Sequence, residues 1–154
     1  MTNKEDKYPY ARLKGLGEFM AFVQEPGWKP DKINTTLFKK LGMAKGKEGE
    51  AVHALKFLGI IATDGTPTTD FDSLKHDYKS TMNKLVLEKY HDLFKLIPPK
   101  LANQTRLINF FGPPLETAEY QAKLFLWFCE QAGIELPGVD KHIHRSRFDK
   151  KKAT

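Results

Sequence analysis

Five lysines and a histidine, Lys39, Lys40, Lys45, Lys47, His53 and Lys56, fall within 18 residues of one another. Ammonium groups at that density suit phosphate oxygens, whose condensed counterions are released on contact, and an imidazole has the donor and acceptor atoms to meet a base edge. From Lys29 to Lys56 seven lysines face only Asp31, Glu48 and Glu50, a local excess of four positive charges. The net charge of +6 is otherwise terminal. The segment Val139 to Thr154 holds six cationic residues against Asp140 and Asp149, the first fourteen residues hold four against two, and the body between is neutral. A basic patch and a basic tail both track phosphates, the other reading being a solvated helix face with a solubilising tail.

Catalytic constellations are missing from the pattern. His53, His76 and His91 lack the paired spacing of a helical zinc site, and His142 and His144 lie in a polar tail without cysteine partners, fit at most for weak capture of a stray transition metal. There is no glycine-rich phosphate loop, no Gly-x-Ser-x-Gly elbow and no Cys/His pair with an ordering carboxylate. Asp70 and Asp72 are accounted for by helix capping and solvation. The expectation is a protein that is not an enzyme and needs no cofactor or metal. Cys129 is alone, so no disulfide forms within the chain, and its apolar surroundings read as a buried thiol in a reducing compartment. The N-terminus lacks the apolar run of a secretory signal and no stretch approaches the ~20 apolar residues of a membrane span. A cytoplasmic location follows as an expectation.

The basic residues need elements to hold them. Leu16, Phe19, Met20 and Val23 predict a first helix from about Lys14 to Gln24, stopped by Pro26-Gly27. A second begins near Thr35, whose hydroxyl is a candidate cap, with Ile33, Leu37, Phe38 and Leu41 inward, Gly42 as a left-handed stop and Met43 buried beside the turn. A third, Glu48 to Leu58, turns Ala51, Val52, Ala54, Leu55 and Leu58 inward and leaves Glu50, His53, Lys56 and Phe57 on the other side. That helix holds the place of a recognition helix in a major groove, although Glu50 repels phosphate and Phe57 calls for a packing partner, internal or foreign. Ile60-Ile61, Asp64-Gly65 and Pro67 predict a β-hairpin, which makes the unit a winged helix-turn-helix with an acidic tip that disfavours a wing reaching into a groove. Beyond Phe71 the periodicity predicts one long helix from Tyr78 to Ile97, a shorter one carrying Leu101 to Phe111, and a last one from about Glu116 to Ala132 with Gly133 as its C-cap. Their aromatic side chains read as core.

The fold expected is mainly α: a winged helix-turn-helix of three helices plus a small β-hairpin, packed against a C-terminal three-helix layer. The divisions expected are a winged-helix-like domain at 8–71, a helical subdomain sharing its core at 72–137, and a flexible basic tail at 138–154.

Several short pieces recur together in one family: Tyr8-Pro9-Tyr10, Leu41-Gly42, Leu55-Lys56-Phe57-Leu58-Gly59, Asp64-Gly65 with Pro67-Thr68, Tyr90 with Leu93-Phe94, Phe110-Phe111, and Phe128-Cys129. In their order and spacing the chain resembles an uncharacterised prokaryotic family, a domain of unknown function, from about Tyr8 to Ile134. The resemblance implies a bacterial or archaeal intracellular protein with a winged-helix-like first half, and it carries no established catalytic or ligand-binding residues. Family members have a longer connection after the paired phenylalanines, where Gly112-Pro113-Pro114 here is compact. The function expected is binding of double-stranded DNA through Lys39, Lys40, Lys45, Lys47, His53 and Lys56. The alternative is a protein-interaction adaptor that meets a partner, or itself, through Phe57 without nucleic acid. The preference rests on the basic turn and on analogy of fold.

Overall fold

Where apolar residues repeat every three to four positions the chain is helical, and where glycine or proline interrupts them it turns. The computed structural model describes residues 8–139. In chain order the elements are α1 (Leu13–Val23), α2 (Thr35–Leu41), α3 (Glu48–Leu58), α4 (Thr69–His76), α5 (Tyr78–Lys89), α6 (His91–Leu96), a 3-10 turn (Pro99–Leu101), α7 (Gln104–Phe111) and α8 (Leu115–Ala132). The basic tail with His142 and His144 lies outside the described residues.

One core runs through all of these helices. Its first half gathers around Phe19, whose ring stacks on Phe38 at 5.0 Å and meets the edge of Trp28 at 5.7 Å. Its second half gathers around Tyr90, with Phe57, Phe125 and Tyr8 at ring distances of 5.1, 4.8 and 5.6 Å. Each large side chain withdrawn from water in this way contributes roughly 2 kcal/mol, so these aromatics weigh heavily in stability. The long α8 packs most extensively on α5 and α7. Across the first half, the Lys75 ammonium of α4 donates to the Val23 and Glu25 carbonyls at 2.6 and 2.7 Å, satisfying the C-terminal end of α1.

The hairpin is the main departure from expectation. Among the described residues there is no strand, only one isolated antiparallel bridge between Ile61 and Pro67. The bonds from Ala62 N–H to Thr66 O and from Thr68 N–H to Ile60 O flank it, but Pro67 has no N–H to extend a ladder and Thr68 is already the N-cap of α4. The turn is also held down: the Gly65 carbonyl accepts from Ile33 N–H at 2.8 Å, and Lys32 pairs with Asp64 at 3.3 Å. A Cβ on Gly65 would sit 2.8 Å from the Ile33 carbonyl oxygen, so the two segments touch backbone to backbone. The segment is therefore a docked turn and not a projecting wing, and the first half is three helices without a ribbon.

The C-terminal part also holds more pieces than three. The expected long helix bends at Tyr90, where φ −103° and ψ 24° separate α5 from α6. With α4, which runs across residues 71 and 72, and α7 and α8, five α-helices follow the docked turn among the described residues. The cap of α2 is Asn34, whose extended backbone lets Oδ1 accept from Leu37 N–H at 2.9 Å; Thr35 is the first helical residue instead.

Candidate nucleic-acid interface

The basic residues sit on α2, on α3 and on the turn between them, and the core fixes all three. Phe38 anchors α2, and Ala51, Val52, Ala54, Leu55 and Leu58 anchor α3, the same five residues that the periodicity selects. Gly42 ends α2 at φ 71°, a left-handed conformation that glycine adopts without strain, and Met43 N–H then bonds the Phe38 carbonyl at 3.0 Å and sinks its side chain into the core. Ala44 follows at φ 51°, unusual for a residue with a Cβ. Here the turn abuts α1 at Gly15, where any Cβ would come within 2.7 Å of the Ala44 Cβ.

All six expected contact residues are exposed. Lys39 and Lys40 end α2, Lys45 lies in the turn, and Lys47 is the N-cap residue of α3. His53 and Lys56, three residues apart, share the exposed face of α3. None of the six enters an ion pair among the described residues. The nearest carboxylate, Glu48, is turned back into the turn: it accepts from Gly46 N–H at 3.1 Å. Hydrogen bonds from its own and the Gly46 main-chain N–H hold the Glu48 carboxyl below its ordinary range, with Lys39 acting in the same direction. The C-terminal helices do not cover the entrance of α3, since Lys45 and Lys47 stay exposed.

Phe57 has a different place from the other outward residues. It is half-buried, its ring 5.1 Å from Tyr90 and 6.0 Å from Tyr8, so it closes the second half of the core.

Beside the entrance runs a groove that the sequence gives no means of assembling. One cavity of about 320 Å³ is lined by Tyr10, Arg12, Lys47, Glu50, Glu116 and Tyr120, among others. A second, of about 420 Å³, shares Tyr10 and Glu50 with it and continues toward His53 and Pro114. Its walls are the extended segment before α1, the first two turns of α3, and the first two turns of α8. The segment before α1 is pinned by the buried Gln121, whose side-chain amide donates to the Tyr8 carbonyl at 2.8 Å. Lys47 and His53 are thus brought to one groove together with two carboxylates, while Lys39, Lys40, Lys45 and Lys56 do not line it. Among the described residues no group of three His, Cys, Asp or Glu side chains comes together as a metal site would require, and no helix is long and apolar enough to cross a membrane.

Residues 9–132 match a family of unknown function (DUF5343). No curated protein and no solved structure matches the chain.

Proposed function

The chain belongs to that family of unknown function, and we propose that it is a nucleic-acid-binding protein that meets duplex DNA through the α2–turn–α3 unit. The observation that carries the reading is the set of Lys39, Lys40, Lys45, Lys47, His53 and Lys56, all exposed, outside ion pairs among the described residues, and mounted on two core-anchored helices. Their backbone is already ordered and no ion pair among the described residues has to be broken, so binding costs them side-chain rotamer freedom alone, and attraction of this kind is indifferent to sequence. The engagement of Glu48 with Gly46 N–H supports it, because the carboxylate nearest the turn is drawn into the backbone. With no strand among the described residues to form a wing, contact in this reading falls to the turn and the exposed face of α3, with His53 approaching a base edge. The packing of the half-buried Phe57 against Tyr8 and Tyr90 favours this reading over a protein-interaction adaptor that uses Phe57. A cytoplasmic location in a prokaryote belongs to the same proposal, and the buried lone Cys129 is consistent with a reducing compartment.

Fluorescence anisotropy of a labelled random-sequence duplex, titrated with the protein at low and at moderate salt, tests it. Binding at low salt that weakens steeply with added salt is the expected result, and absence of binding at low salt overturns the reading.

A further inference from the structure

The groove beside the basic turn combines groups that neither a bare phosphate track nor an apolar partner would call for. Tyr10 and Tyr120, 38% and 42% exposed, lie with ring centroids 6.4 Å apart and planes 34° from parallel. They come from different elements, one from the segment before α1 and one from α8. Arg12 and Lys47 supply two cations at the same cavity, and Glu50 and Glu116 supply two carboxylates. Carboxylates inside a groove repel a phosphate chain that tries to enter it, yet they accept hydrogen bonds from the amino groups and ring N–H groups of bases. Tyrosine faces stack on any base. Lys47 belongs both to the groove and to the basic turn, so a strand whose phosphates follow the turn would arrive at the groove mouth.

We infer that the groove receives an unpaired nucleobase, stacked against Tyr10 and Tyr120 with its amino edge toward Glu50 and Glu116, while its phosphate stays outside near Arg12 and Lys47. The inference rests on the nucleic-acid reading above and narrows it: the preferred ligand is a duplex that ends in, or is interrupted by, single-stranded nucleotides. The volume of about 320 Å³ admits one base with room for its sugar at the mouth. Gln121, by fixing the Tyr8 carbonyl, positions the wall that carries Tyr10.

The test compares three labelled ligands of equal duplex length: a blunt duplex, the same duplex with a four-cytidine overhang, and the same duplex with an abasic overhang of equal phosphate count. The wild-type protein should bind the cytidine overhang about tenfold more tightly than the other two, after the phosphate contribution is matched by the abasic ligand. Tyr10→Ala and Tyr120→Ala should abolish that advantage and leave blunt-duplex binding unchanged, whereas Tyr120→Phe, which keeps the ring, should retain it; circular dichroism verifies that each variant is folded. Equal binding of cytidine and abasic overhangs overturns the inference and leaves the duplex reading standing. So does an advantage that survives both alanine variants. Base-dependent binding of the overhang without any blunt-duplex binding at low salt overturns the duplex reading and leaves the groove assignment standing.

Discussion

Gly15 of α1 and Ala44 of the basic turn touch so closely that a Cβ on Gly15 would lie 2.7 Å from the Ala44 Cβ and 2.9 Å from its main-chain nitrogen. The lysine-bearing turn is therefore set by its seat on α1 as well as by its own glycines. Gly15→Ala is expected to force the turn away from α1, lowering stability by about 1–3 kcal/mol and weakening duplex binding at the same time. Ala44→Gly relieves the positive φ at that position and is expected to be neutral or slightly stabilising, by under about 1 kcal/mol. Urea denaturation of both variants checks the pair, and a Gly15→Ala protein as stable as wild type would show that the contact is not tight.

Tyr90 is fully buried, and its hydroxyl finds no hydrogen-bond partner among the described residues. Removing an unsatisfied buried hydroxyl while keeping the ring removes a desolvation penalty, so Tyr90→Phe should raise stability by about 1 kcal/mol. Thermal unfolding gives the answer directly. A clear loss of stability would mean that the hydroxyl is engaged after all.

Asp64 reports whether the expected wing is instead a docked turn. A hydrogen bond from Thr66 N–H to Oδ1 at 3.0 Å, and then Lys32, pull its carboxyl down to about 2. A carboxyl whose folded pKa lies below its unfolded value, about 3.9, adds stability that is full above that unfolded value and fades as pH falls toward 2. Asp64→Asn should therefore cost stability near neutral pH, and the gap between wild type and variant should narrow as pH falls through about 4 and close only below about 2. A constant gap across that range would place the effect elsewhere.

Cys129 is buried on α8, and burial pushes its thiol pKa up, with Glu130 adding to the shift. It should stay protonated and resist a disulfide reagent at neutral pH until the protein unfolds. Because its folded pKa lies above the unfolded value, its contribution is complete below about pH 8.5 and is lost as pH rises beyond that. Alkaline destabilisation should accordingly be smaller in Cys129→Ala, measured against the variant's own stability at pH 7. Rapid thiol labelling of the native protein would contradict this placement.

How much of this the sequence declares depends on the range of the interaction. The bounds of α3 follow from local causes, namely the spacing of Ala51, Val52, Leu55 and Leu58 and the left-handed stop at Gly59, and they match the structure residue for residue. The docked turn does not, because Asp64-Gly65 carries a hairpin signal and only the long-range bond from Ile33 to Gly65 shows that the segment folds onto the entry to α2. The bend at Tyr90 is hidden for a similar reason: apolar residues recur without a break from Tyr78 to Ile97, and the ring's fit among Tyr8, Phe57 and Phe125 is a tertiary matter. The meeting of Tyr10, Arg12, Glu116 and Tyr120 in one groove escapes sequence reasoning, since no local pattern links the segment before α1 or the start of α8 to α3. The basic residues themselves were legible, because clustered lysines on a polar helix face stay exposed wherever the core lies.

Whether the turn between α2 and α3 contacts DNA is decided by the salt dependence of duplex binding in the Lys45→Ala, Lys47→Ala double variant. If these two lysines each neutralise a phosphate, the slope of log K against log salt should fall in magnitude by about 1.8 relative to wild type, with helical content unchanged. An unchanged slope and affinity would show that the turn between α2 and α3 does not touch the nucleic acid.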